Sequence, residues 1–170
     1  YSDLQLTPSE MSDTDKLKVT VKVRNTGKVA GKEIVQLYVR DIESTAFRPD
    51  KELKGFAKIE LQAEEETEVA FELSQRAFAF YNTEIKDWQV ESGVFDILLG
   101  ASSQDIRLKV SVEVNSSQPA PAPTDRDNLA DYYKFPKGTP VSRKDFETLL
   151  GSPVPLNEPS RKGNYTINTP

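Results

Sequence analysis

The feature that most constrains this chain is a two-residue alternation of apolar and polar side chains that recurs as far as residue 114. In Leu17-Lys18-Val19-Thr20-Val21-Lys22-Val23-Arg24 every second residue is aliphatic. Thr67-Glu68-Val69-Ala70-Phe71-Glu72-Leu73 and Ile106-Arg107-Leu108-Lys109-Val110-Ser111-Val112-Glu113-Val114 repeat the pattern. Successive side chains of a strand point to opposite faces, so this alternation gives one buried and one wet face, as in an antiparallel sheet. The run from Glu33 to Val39 is more continuously apolar (Ile34, Val35, Leu37, Tyr38, Val39) and reads as a central strand covered on both faces. Phe95-Asp96-Ile97-Leu98-Leu99, between Gly93 and Gly100, reads as another, with Ala77 to Tyr81 and Leu53 to Leu61 as weaker candidates. Asn25-Thr26-Gly27 and Ala30-Gly31 punctuate the first two long strands, because Asn and Gly tolerate positive φ. Short strands with turn signals about every ten residues predict an all-β sandwich, and nothing before residue 115 follows the helical period.

The composition changes near residue 115. Ser116-Ser117-Gln118-Pro119-Ala120-Pro121-Ala122-Pro123-Thr124 alternates proline with small residues, which stops helix and sheet and favours an extended spacer. The organisation predicted is a sandwich over 1–114, a Pro/Ala/Ser linker over 115–124, and an extended tail over 125–170 with a short helix near 142–150. Ser142 can cap that helix, Asp145 takes the capping-box position as a shorter stand-in for Glu, and Gly151 and Pro153 end it. Phe146, Leu149 and Leu150 then share one face. Two helical turns are not stable alone, so this stripe needs a surface to cover. Leu129, Tyr132, Tyr133 and Phe135 form a second apolar cluster with the same need, and 151–170 reads as mostly extended.

Chemistry is restricted by what is missing. The 170 residues include no Cys and no His, which removes thiolate nucleophiles, disulfides, imidazole bases and most transition-metal sites. The net charge of -5 argues against nucleic-acid binding, and no apolar run reaches the roughly 18 residues of a membrane span. No cofactor or metal is expected: Gly27, Gly31 and Gly55 do not form a phosphate loop, and Asp125-Arg126-Asp127-Asn128 lacks the ligand spacing of a calcium loop. Zero Cys fits the cytoplasm, but exported bacterial proteins also lack it, so the compartment stays open. The opening Tyr1-Ser2-Asp3, without Met or a leader, reads as cut from something longer.

Few residues stand out as sites. Glu64-Glu65-Glu66 reads as a charged turn, and Asp41 and Glu43 as surface or turn residues. Trp88, the only tryptophan, forms with Tyr81 a candidate sugar-stacking platform, set against ordinary packing at the sandwich edge. Phe47-Arg48-Pro49, in a polar loop between strands, suggests contact with another domain or a substrate, set against local loop packing. Asn115-Ser116-Ser117 and Asn164-Tyr165-Thr166 match the glycosylation sequon, a triplet common by chance.

The segment from Val21 to Val39, with Asn25-Thr26-Gly27, Gly31, Glu33 and Gln36-Leu37-Tyr38-Val39, resembles the start of the fibronectin type III-like domain of family 3 glycoside hydrolases. Arg48-Pro49-Asp50-Lys51-Glu52-Leu53-Lys54-Gly55-Phe56 continues the likeness, as do Phe80-Tyr81, Trp88, Glu91-Ser92-Gly93-Val94-Phe95 and Leu99-Gly100-Ala101-Ser102-Ser103-Gln104-Asp105-Ile106. The likeness covers roughly 15–114, in order. Ser142 to Gly151, Val154-Pro155 and Tyr165-Thr166-Ile167-Asn168 are similar to the segment that follows this domain in some bacterial members.

The resemblance implies an immunoglobulin/fibronectin type III-like β-sandwich at the C-terminal side of a β-glucosidase. Such enzymes are retaining, with an aspartate nucleophile from a TIM barrel and an acid/base from an α/β-sandwich domain. Neither domain fits here, so no catalytic residue carries over. The expected role is non-catalytic: bracing the catalytic domains of the same parent chain, with glucan or glucoside at the periphery. Phe47, Arg48, Pro49, Phe146, Leu149 and Leu150 are the candidate interdomain contacts. The alternatives are a carbohydrate-binding module and a free-standing interaction domain. Independent catalysis has no supporting residue set.

Overall fold

A computed structural model describes residues 1–123, 125–134, 138 and 140–155. The chain divides into two compact units, Tyr1–Thr124 and Asp125–Pro170.

The first unit is an all-β sandwich. Its strands are β1 (Ser2–Thr7), β2 (Glu10–Ser12), β3 (Leu17–Arg24), β4 (Gly31–Asp41), β5 (Glu52–Leu61), β6 (Glu66–Leu73), β7 (Phe80–Asn82), β8 (Asp87–Gln89), β9 (Gly93–Ser102) and β10 (Asp105–Asn115). One sheet has the order β1-β3-β6, the other β2-β10-β9-β4-β5, and β7-β8 form a separate hairpin. All neighbours are antiparallel except β2, which lies parallel to the end of β10.

The alternation decides what goes inside. Leu17, Val19, Val21 and Val23 of β3 are buried and face Val35, Leu37 and Val39 of β4, Phe95, Ile97 and Leu99 of β9, and Val112 and Val114 of β10 in one core. Each such aliphatic side chain taken from water stabilises the sandwich by about 1.5–3 kcal/mol. Phe78 and Phe95 close one end of the core edge to face, ring centres 5.3 Å apart.

Several expectations change in detail. β4 lies between β9 and β5, yet only its second half is covered on both faces; Tyr38 is buried, whereas Ile34 is exposed. The weak candidate Leu53 to Leu61 is a ten-residue strand, β5. Its alternation is blurred because it is an edge strand with an outward-facing Phe56 and a register shift opposite Leu37 and Tyr38. Ala77 to Tyr81 splits between a 3-10 turn, Gln75–Ala77, and β7. β1, β2 and β8 carry too few alternating residues to be read as strands from sequence.

Asn25 and Gly27 do not work through positive φ; neither adopts it. Instead the Asn25 amide donates to the carbonyls of Val29, Leu61 and Gln62 at 2.8, 3.2 and 3.0 Å, and its Oδ1 accepts from Gly27 N–H at 2.9 Å. One side chain thereby fastens the β3–β4 connection to the end of β5. Gly100 is required by close approach: a Cβ there would meet the Asp105 carbonyl oxygen at 2.1 Å, where β9 and β10 slip register.

Residues 116–119 are stitched to the sandwich. Ser117 N–H and hydroxyl donate to buried Asp13, both at 3.1 Å. Val90 N–H donates to Gln118 Oε1, Gln89 Nε2 to Pro119 O, and Ser116 N–H to Ser92 Oγ.

In the second unit the short helix is present as α2 (Arg143–Leu150), preceded by α1 (Ala130–Tyr133). Ser142 Oγ caps α2 by accepting from Asp145 N–H, and Gly151 ends it in the left-handed region at φ 74°. The capping box is not closed locally, because an Asp side chain is too short to return to the Ser142 N–H. Ser142 N–H donates to the Asp131 carboxylate, and Asp131 N–H donates to Asp145, each at 2.8 Å, so the exchange runs between α1 and α2. Leu129 is buried and Tyr132 and Tyr133 half-buried. Phe135, the second sequon and the segment 156–170 lie outside the described residues.

Candidate functional site

The connection between β4 and β5, residues 42–51, carries the most concentrated chemistry. β4 places Val35, Leu37 and Val39 on its inward face, and Asp41 follows at the same parity. The expectation that Asp41 is a surface or turn residue is therefore wrong: its side chain is 4% exposed. Glu43 is exposed, as expected.

A buried carboxylate requires partners. Arg48 supplies one to Asp41 at 3.5 Å, and the neighbouring Glu91 carboxyl and Glu43 N–H act on its charge. Glu91, 5% exposed, accepts from the hydroxyls of Ser44 at 2.8 Å and Thr45 at 2.6 Å, and from the Thr45 N–H at 3.1 and 3.2 Å. Arg48 turns inward with its side chain 8% exposed. It donates to Asp41 Oδ2 at 3.5 Å, to the Phe78 carbonyl at 3.2 Å and to Glu52 Oε2 at 2.5 Å.

The electrostatics follow from this packing. Burial, then the hydrogen bond to Glu91 and the charge of Glu91, push the Asp41 carboxyl up to about 7; Arg48 and the Glu43 N–H oppose this incompletely. Burial also pushes Glu91 up, but the bonds from Thr45, Asp41 and Ser44 outweigh it and hold Glu91 below the usual carboxylate range. Burial raises Glu52 as well, and the Arg48 bond and charge, with Lys54, hold it low. Asp41 is therefore about half protonated near pH 7.

Ser44, Thr45 and Arg48 of this loop are thus turned onto the sandwich, while Glu43, Phe47, Pro49 and Asp50 face out. Ile42 and Val94, joined by a 3.3 Å backbone bond, are exposed beside them.

Of the residues picked out from sequence, Phe47 and Pro49 lie where an external contact can reach them. Arg48 does not: its guanidinium is taken up inside the sandwich, which corrects its assignment as an interdomain contact. Phe146, Leu149 and Leu150 are exposed on α2 at 46, 39 and 51%. Trp88 and Tyr81 pair across the β7–β8 hairpin, edge to face at 66° rather than coplanar. The Arg76 guanidinium covers a face of the Trp88 ring. A shallow cleft beside Trp88 is lined by Glu52, Leu53, Lys54, Glu72 and Arg76. No group of three or more metal-ligating side chains occurs among the described residues, and none of their helices is long and apolar enough to cross a membrane.

Asp41 and Glu91 are the residues that sequence reasoning missed. Parity along β4 was the available signal for Asp41. Glu91 stood in the Glu91-Ser92-Gly93-Val94-Phe95 stretch that carries the resemblance, but nothing tied it to this loop, since its partners lie across a long sequence gap.

Residues 33–103 match the model of the fibronectin type III-like domain. The sandwich is a domain of that class. A thermostable β-glucosidase B from Acetivibrio thermocellus is 59% identical over 117 residues, covering 69% of this chain and 16% of that protein. An exo-α-(1→6)-L-arabinopyranosidase from Bifidobacterium longum is 34% identical over 143 residues, covering 83% of this chain and 19% of that protein. The crystal structure of a Listeria innocua β-glucosidase in complex with glucose superposes with a TM-score of 0.60 at 39% identity, over 66% of this chain and 16% of that one. The chain therefore spans about one sixth of the length of such relatives. Its sandwich is similar to the fibronectin type III-like domains of such β-glucosidases.

Proposed function

We propose that this chain serves as a non-catalytic accessory domain of a family 3 glycoside hydrolase of β-glucosidase type, bracing its catalytic domains. The observation that carries the reading is the β4–β5 loop: Ser44, Thr45 and Arg48 are turned inward onto Glu91 and Asp41, and the apolar Phe47 and Pro49 are presented outward. A loop held this way offers an apolar contact at little ordering cost on docking. The catalytic carboxylates would come from the rest of the parent, whose separation such a brace would keep fixed. The exposed Phe146, Leu149 and Leu150 stripe of α2 suits the same use.

The test is a full-length enzyme carrying Phe47→Ala or Phe47→Asp. The expected result is a lower unfolding temperature and lower kcat for the enzyme, with a loss of stability larger than that of the 170-residue chain carrying the same change. Unchanged behaviour of the full-length enzyme would overturn the reading.

The carbohydrate-binding alternative rests on half-exposed Trp88 beside its cleft. Arg76 over the ring and the tilted Tyr81 weigh against it, because a sugar stacks on an open, flat face. Quenching of Trp88 fluorescence by glucan oligosaccharides would favour this alternative.

A further inference from the structure

We infer that residues 116–119, which lead from the end of β10 into the proline-rich linker, are a strap that fixes the β4–β5 loop at its anchor, so that the loop is at its stiffest only while the linker is seated. The inference rests on reading that loop as the docking element, and adds a conformational control to it.

The anchor is the connection between β8 and β9. Gln89, Val90 and Glu91 are consecutive and all buried, at 4, 1 and 5% exposure. Only Val90 belongs to the apolar core. Its two polar neighbours are engaged by two different segments. Glu91 takes the loop: its carboxylate accepts from the hydroxyls of Ser44 and Thr45 and from the Thr45 N–H. Gln89 takes the linker: its Nε2 donates to the Pro119 carbonyl at 2.8 Å, while its Oε1 accepts from Asn82 Nδ2 at 2.6 Å, which fixes the orientation of the amide. Between them, both backbone polar groups of Val90 are met by linker side chains. Val90 N–H donates to Gln118 Oε1 at 3.0 Å, and Ser116 Oγ donates to Val90 O at 2.7 Å. Ser116 N–H donates to Ser92 Oγ at 2.9 Å. Buried peptide groups need partners, and here they come from residues 26 and 28 positions further along the chain.

The strap is rooted and stiff. Ser117 is held by Asp13, which is 1% exposed and whose own N–H donates to Asn115 O at 3.0 Å beside the parallel β2–β10 pair. Gln118 precedes Pro119, so its backbone is restricted toward extended conformations before any contact forms, and seating it costs less entropy. When the strap lifts, Val90 and Ser92 lose partners together. The backbone on either side of Glu91 is then freed, and the carboxylate that Ser44 and Thr45 share is no longer fixed.

The experiment is amide hydrogen exchange of the 170-residue chain, native and Gln118→Ala, followed by NMR. Thr45 N–H, which donates to Glu91, reports the loop. The amides of Ile97 and Leu99, in β9 between β10 and β4, report the sandwich. In Gln118→Ala, Thr45 should exchange at least about tenfold faster while Ile97 and Leu99 keep their native rates. Gln118→Glu keeps the acceptor for Val90 and should leave Thr45 at its native rate. Ser116→Ala, which removes the bond to Val90 O, takes the place of Gln118→Ala if that variant does not fold. An unchanged Thr45 rate, an acceleration shared equally by Ile97 and Leu99, or one as large in Gln118→Glu as in Gln118→Ala overturns the strap. The docking reading is decided separately, by Phe47→Ala in the full-length enzyme: a silent Phe47→Ala removes the docking but not the coupling, and an unchanged Thr45 rate removes the coupling but not the docking.

Discussion

Removing Arg48 tests how the loop is held. In Arg48→Ala three acceptors lose their donor: Asp41, the Phe78 carbonyl and Glu52. They do not suffer equally. Glu52 is 31% exposed and recovers water, so its loss is about 1 kcal/mol. The carbonyl of Phe78, whose residue is fully buried, is left with an unmet acceptor at about 1–2 kcal/mol. Asp41 can stay protonated against Glu91, which spares it the roughly 3–5 kcal/mol of an uncompensated buried charge. The expected destabilisation is therefore about 2–3 kcal/mol, which for a chain of this size lowers Tm by roughly 4–12 °C. Trp88 is the only tryptophan and lies in the sandwich, so its fluorescence in a urea titration reports that unit without contribution from the tail. Arg48→Lys should recover only part of the loss, because one ammonium cannot reach three separated acceptors. A loss below about 1 kcal/mol in Arg48→Ala, the size of an exposed ion pair, would refute the reasoning.

Other outcomes follow from the same structure. Stability should decline as pH rises through about 7: Asp41, raised in the fold, stabilises fully only below its ordinary value, and that contribution disappears as it ionises. Glu91, lowered in the fold, acts in the opposite sense and is lost on acidification, so the urea midpoint should peak on the mildly acidic side. Gly100→Ala should destabilise by more than about 2 kcal/mol, because its Cβ would overlap the Asp105 carbonyl, whereas Gly31→Ala, with nothing within 4 Å, should stay within about 0.5 kcal/mol. Asn25→Ala strips donors from three carbonyls and should cost about 2 kcal/mol by thermal unfolding. Ser142→Ala should lower the helicity of α2 without moving the Trp88-monitored transition.

The fold was legible wherever one face of a strand is dry and the other wet. β3, β6 and β10 announce themselves for that reason. β5 and β1 do not, because an edge strand tolerates Phe56 outside and Gly55 inside without a penalty that would impose a pattern. The site was half legible. Phe47, Arg48 and Pro49 marked the right loop, since an aromatic beside Arg and Pro is unusual in a polar turn. Their directions were not readable: a guanidinium serves an inward network as well as an outward contact, and only the position of Glu91 decides between them. Asp41 was overlooked because acidic residues at strand ends are usually solvated, a prior that its parity in β4 should have outweighed.

The network around Arg48 draws its donors and acceptors from this sandwich alone. Its shape is thus inherited with the segment and owes nothing to the sequence of a neighbour. Recombination that moved the stretch from β3 to β10 between hydrolases would deliver the loop already formed, leaving Phe47, Pro49, Ile42 and Val94 as the positions to retune for a new host. The divergence expected among grafted copies is accordingly lopsided: substitution concentrated on those outward residues, and near silence at Asp41, Thr45, Arg48 and Glu91.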